Sequence, residues 1–115
     1  VESEKVIPDE WRNAVLRILR EGDKNCIDWT HQAFLDWRAA TLSQFRNEAY
    51  EAMANSLSVS GVLGAPVSLA EDGETYAFFF RHEQRVLYGK VCLRPSGSEI
   101  KIVSAHTPRK GDRLF

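Results

Sequence analysis

Close to the C-terminal end of this 115-residue chain, one histidine, one arginine and one lysine follow one another in the run Ser104-Ala105-His106-Thr107-Pro108-Arg109-Lys110-Gly111-Asp112. An imidazole titrates at about 6.5 and so exchanges protons near neutrality, while guanidinium and ammonium groups stabilise developing negative charge. Together such groups can cleave a phosphodiester without a metal. RNA cleavage of that kind needs a base for the 2′-hydroxyl proton, positive charge at the five-coordinate phosphorus, and an acid for the leaving 5′-oxygen. His106 suits the proton transfers, and Arg109 and Lys110 suit the charge, so these are the candidate catalytic residues. Upstream, Arg81, Arg85, Tyr88 and Lys90 are candidates for holding RNA, Tyr88 by stacking a base or binding a phosphate and the others by charge.

The elements that must position these groups are legible as changes of period. Pro8-Asp9-Glu10 opens a helix, with acids where the helix dipole favours them. Trp11, Ala14, Val15, Ile18 and Leu19 form one apolar stripe, and Gly22 can close the helix. A second helical region runs from Asp28 or Thr30 to about Ser56. Within it Thr41-Leu42-Ser43-Gln44 reads as a capping box, and the spacing suits either one long helix or two helices broken near Ala40. All three tryptophans fall in these helices, Trp11 and Trp37 as core anchors.

Residues 58–66, rich in Ser, Gly and Pro, read as an irregular connection. Three strands are then expected at 75–81, 85–93 and 99–106, with turns at His82-Glu83-Gln84 and Pro95-Ser96-Gly97. Strict alternation puts Tyr76, Phe78 and Phe80 on one face of the first, and Tyr88 with Lys90 on one face of the second. In the third it groups Ile100, Ile102, Ser104 and His106. The chemistry requires that the Tyr88–Lys90 face and the Ser104–His106 face coincide. Arg81-His82-Glu83 reads as an exposed turn, His31 as a structural or solvent-exposed helix residue, and Glu99 and Lys101 as charges that protect a sheet edge. The expected fold is α+β: N-terminal helices (1–57) packed on a C-terminal antiparallel β-sheet (58–115), in a single domain, 1–115.

A net charge of −1 speaks against a surface that is basic throughout, but the charges are unevenly placed. Residues 1–74 hold thirteen acidic and seven basic groups, a net of −6, whereas residues 75–115 hold eight basic and three acidic, a net of +5. A ligand meets the local field, so the C-terminal third is where an anion would bind. Cys26 and Cys92 have no metal-ligand spacing, and His31, His82 and His106 are scattered. The expectation is two reduced thiols, no metal and no other cofactor, in a cytoplasmic protein. No apolar run is long enough to span a membrane, so no membrane partner is expected. Val1-Glu2-Ser3-Glu4-Lys5 has the pattern of no signal peptide, and the absent initiator Met suggests a processed or trimmed N-terminus.

One ordered series of short motifs runs through the chain: Phe34-Leu35-Asp36-Trp37 on the helical pair, Leu63-Gly64-Ala65-Pro66, and Gly73-Glu74-Thr75-Tyr76-Ala77-Phe78. Arg85-Val86-Leu87-Tyr88 and Ile100-Lys101-Ile102-Val103-Ser104-Ala105-His106 follow, and then Arg109-Lys110. In order and spacing it resembles the RelE/ParE/HigB superfamily of toxins from bacterial toxin-antitoxin systems, over about Phe34 to Lys110. The family's leading strand would fall at Lys5-Val6-Ile7. The resemblance implies a RelE-like fold and a growth-inhibiting mRNA endoribonuclease, often acting on the ribosome and silenced by a cognate antitoxin. Its ParE branch implies inhibition of DNA gyrase with no hydrolysis. The alternative class is therefore a non-enzymatic protein-interaction module, a gyrase inhibitor or a regulator that docks through its basic rim. A DNA-binding domain is disfavoured, since no second helix after a tight turn carries a basic recognition face.

Overall fold

A computed structural model describes residues 5–109. Helix α1, Asp9–Glu21, begins after Pro8, carries Asp9 and Glu10 in its first turn and Arg20 in its last, and buries Trp11, Val15, Leu16, Ile18 and Leu19. It stops at Gly22, whose left-handed backbone (φ 63°) lets its N–H donate to the Ile18 carbonyl at 3.0 Å. Before it lies the two-residue strand β1, Lys5–Val6; after it comes β2, Ile27–Trp29. Trp29 is thus a strand residue, and only Trp11 and Trp37 belong to helices.

The second helical region is two helices, α2 at His31–Thr41 and α3 at Arg46–Leu57. Thr30 caps α2, its Oγ1 accepting the Ala33 N–H at 3.0 Å. The break comes at Leu42, which adopts a left-handed backbone (φ 60°). Thr41 does not open a capping box with Gln44. Its hydroxyl donates back to the Trp37 carbonyl at 2.7 Å and accepts the Ser43 N–H at 3.2 Å, and Ser43 Oγ in turn accepts the Phe45 N–H at 3.1 Å. Thr41 can make these bonds because threonine hydroxyls reach the carbonyl one turn back as readily as they cap a following turn.

Strands β3 (Leu63–Val67), β4 (Glu74–His82), β5 (Arg85–Leu93) and β6 (Ile100–His106) follow. The last three form the antiparallel meander that the alternation predicts. The sheet is larger than a meander, however: among the described residues six strands run in the order β1-β3-β4-β5-β6-β2, and β2 pairs with β6 in parallel. Part of the supposed connection at 58–66 is β3, with Pro66 paired to Tyr76. Proline is tolerated there because β1 pairs only with Leu63 and Gly64, so nothing among the described strands needs a Pro66 N–H on the outer side. Because β2 covers β6, Lys101 does not lie on an edge strand.

All three helices pack against one face of this mixed sheet, making a compact α+β fold. Trp11 meets Tyr76 and Phe78 edge-on, with centroids 5.0 and 6.5 Å apart, while Trp37 stacks on Phe80 at 6.4 Å. Both tryptophans are almost wholly buried, as core anchors should be. The second sheet face carries a smaller cluster of Ala65, Ala77 and Tyr88, flanked by Val67 and Phe79. Among the described residues no helix is long and apolar enough to cross a membrane.

Candidate functional site on the second sheet face

The pairing of β5 with β6 decides which way His106 faces. Leu93, Cys92 and Val91 pair with Ile100, Lys101 and Ile102; Lys90, Gly89 and Tyr88 then pair with Ser104, Ala105 and His106. Val103 is the extra residue of a β-bulge. Ile100 and Ile102 therefore belong to the helix-side core, whereas Ser104 and His106 lie across from Lys90 and Tyr88 on the second face. Strict alternation from Ile100 through His106 is overturned at this point. Without the bulge, a histidine in register with Ile102 would point into the apolar core. The N-terminus of α2 is bonded to the same place: the Thr30 N–H donates to the Ile102 carbonyl at 3.1 Å and its hydroxyl to the Val103 carbonyl at 3.4 Å.

The bulge brings four of the expected residues together. The rings of Tyr88 and His106 lie 5.5 Å apart, and Lys90 Nζ lies 5.6 Å from the Tyr88 centroid. Phe79 meets Tyr88 edge-on at 5.8 Å from the facing strand. Ser104 sits opposite Lys90. His106 Nδ1 is 2.7 Å from the Thr107 carbonyl, which can only accept. Nδ1 therefore carries a proton, and the lone pair of the neutral ring is on Nε2. Tyr88 and His106 are each 7% exposed, so the imidazole is reached at its edge and the Tyr88 ring positions it, and Phe79, half-buried, is the aromatic with surface for a base.

The remaining candidates do not all join this group. Arg81, one step past Phe79 on β4, shares the face and is exposed. Arg85 falls on the opposite side of its strand from Tyr88, and its guanidinium donates to the Ala40 carbonyl at the end of α2. Side chains alternate along a strand, so a three-residue offset from Tyr88 forces this. Arg109 pairs with Asp36 of α2 at 3.1 Å. Lys110 lies outside the described residues.

Elsewhere the acidic half of the chain offsets the basic half. Arg94 lies 3.4 Å from Glu71 and 3.5 Å from Asp28, and Lys101 donates to Glu71. The Lys101 hydrogen bond holds the Glu71 carboxyl below the usual carboxylate range, with the charges of Lys101 and Arg94 adding to it against a smaller opposing desolvation. The +5 segment is therefore not a +5 patch. Among the described cations of β4 to β6, Arg81, Arg85 and Lys90 make no ion pair, and Arg85 is held instead by the Ala40 carbonyl.

Sequence reasoning missed His82. It is no exposed turn residue: its side chain is 11% exposed, Nε2 lies 2.9 Å from Glu48 of α3, and Trp37 meets the ring edge-on at 5.0 Å. The signal was present in the alternation of Tyr76, Phe78 and Phe80, which carries His82 onto the helix face. His31 is exposed. Cys26 and Cys92 are free thiols, and among the described residues no three His, Cys, Asp or Glu side chains are grouped as metal ligands.

Comparison of the chain with protein-family models, with curated proteins and with solved structures finds no match.

Proposed function

We propose that the protein is a metal-independent endoribonuclease of the RelE-like toxin type, with its active face on the second side of the sheet. The observation that supports this reading is the bulge at Val103, which sets His106 beside Tyr88 and opposite the strand bearing Lys90. In the proposed reaction the 2′-oxygen attacks phosphorus in line, the bond to the 5′-oxygen breaks, and the products are a 2′,3′-cyclic phosphate and a 5′-hydroxyl. The 2′-hydroxyl loses one proton and the leaving oxygen gains one, on opposite sides of the phosphorus. One imidazole serves one side, exchanging its proton through Nε2, and water serves the other. Lys90 neutralises the phosphorane oxygens, Arg81 holds a flanking phosphate and Phe79 stacks a base. A cytoplasmic location, mRNA as substrate, the ribosome as platform and a cognate antitoxin as silencing partner belong to the same proposal.

Purified protein incubated with RNA, with and without ribosomes, tests it. Cleavage leaving 2′,3′-cyclic ends is expected, lowered on the order of a hundredfold or more by His106→Ala or Lys90→Ala with the far-UV spectrum unchanged. Induced expression should arrest growth with loss of bulk mRNA. Intact RNA in both reactions and harmless expression would dispose of the proposal. Gyrase-dependent arrest with intact RNA would instead establish the non-enzymatic class.

A further inference from the structure

Two non-glycine residues among those described have a left-handed backbone, Leu42 (φ 60°) and Glu83 (φ 57°). They come from different elements, the α2–α3 junction and the β4–β5 hairpin, yet both line one cleft of about 420 Å³ together with Thr41, Ser43, Gln44, Phe45, Glu48 and His82. Leu42 stands where a helix strongly prefers glycine, because a Cβ is strained at positive φ. Its side chain recovers nothing by packing, since the residue is 82% exposed; Phe45, three positions on, is 64% exposed. Strained backbone kept for an unburied apolar side chain points to a use outside the fold.

The charge around the cleft says what fits. Glu48 and Glu83 line it, and an adjoining cleft of about 290 Å³ shares them and adds Glu51 and Arg81. The neighbouring arginines are engaged elsewhere: the guanidinium groups of Arg38 and Arg46 lie over the Phe34 ring at 5.7 and 3.9 Å, and Arg85 donates to the Ala40 carbonyl. Glu48 is already bonded to His82 at 2.9 Å and Arg81 stands at the adjoining cleft, so the rim is apolar with Glu51 and Glu83 as its unengaged carboxylates against one arginine. We propose that this cleft is a docking site for a short cationic segment of a partner protein, whose large apolar side chains cover Leu42 and Phe45 while its basic groups face Glu51 and Glu83. The cleft lies between the helices and the β4–β5 hairpin, Arg81 borders both it and the second sheet face, and the proposal does not depend on the nuclease reading.

The probe is an amphipathic peptide of leucine and lysine, titrated calorimetrically into the full chain beside a leucine and glutamate peptide of the same length. The Leu/Lys peptide is expected to bind and the Leu/Glu peptide not to. Leu42→Gly and Glu83→Gly should each raise the melting temperature, by relieving the strain, and weaken binding by about tenfold, the size of effect expected for a central interface side chain. Phe45→Ser should weaken binding with the melting temperature unchanged. Equal binding of both peptides, undiminished binding by the variants, or a lower melting temperature in Leu42→Gly would overturn the proposal. So would concentration-dependent self-association that Phe45→Ser abolishes, since the occupant would then be a second copy of the chain.

Discussion

At Gly73 a single residue holds the end of the sheet closed. Its φ is 124°, and a Cβ placed on it would lie 2.4 Å from the Leu93 carbonyl oxygen and 2.9 Å from Cys92 Sγ. Both obstacles are anchored in β5, so neither can give way cheaply. Gly61, with φ 82°, has nothing within 4 Å of the same added atom. Gly73→Ala is expected to cost about 3 kcal/mol and Gly61→Ala about 1 kcal/mol, the difference combining the clash with the less accessible φ of Gly73. Urea denaturation measures both, and equal losses would mean that the crowding at Gly73 costs nothing. Glu71-Asp72-Gly73-Glu74 is recognisable as a turn from its residue types, yet which glycine is irreplaceable depends on a carbonyl twenty residues away in the chain.

Among the elements, the bulge in β6 matters most to the proposed chemistry. Val103 has no partner on β5, so deleting it joins two stretches that are each already in register, Ile100–Ile102 with Leu93–Val91 and Ser104–His106 with Lys90–Tyr88. The Val103 deletion is expected to fold within about 2 kcal/mol of the parent and to keep His106 on the second face. Deleting Ala105, which is fully buried in the helix-side core, should turn His106 inward and cost more than about 3 kcal/mol or prevent folding. Denaturation curves of the two single-residue deletions separate these outcomes; similar losses from both would contradict the register. The meander itself was legible because Tyr76, Phe78, Phe80 and Leu87, Val91 alternate. The bulge was not, since it is a relation between two strands and strand periodicity records only one.

For the whole molecule, the charge asymmetry along the chain is largely spent inside the fold. Glu71, Asp28 and Asp36, all from the acidic part, meet Arg94, Lys101 and Arg109 from the basic part. If Arg81 and Lys90 are the cations presented to RNA, two phosphates are neutralised, and log Kobs should fall against log salt with a slope of roughly −1.4 for single strands. Arg81→Ala should reduce that slope by about 0.7, and Lys101→Ala should leave it unchanged because Glu71 already engages that ammonium. Filter binding across a salt series reads both. A slope several times steeper would show that the C-terminal third acts as one undivided basic surface.

What the sequence determined by itself was local. Helix α1, the meander, the burial of Trp11 and Trp37, and the pairing of Tyr88 with Lys90 on one face all follow from periods of 3.6 and 2, and those periods are written in neighbouring residues. Only the tertiary structure decided what depends on residues far apart. It placed β2 in parallel beside β6, drew His82 under Trp37 to Glu48, sent Arg85 and Arg109 toward α2, and through one unpaired valine turned His106 out of the core. Which face of the sheet a strand turns to the helices is set by the register between strands, and how much of a side chain's charge reaches a ligand by the ion pairs it finds, and both are settled only when the chain has folded.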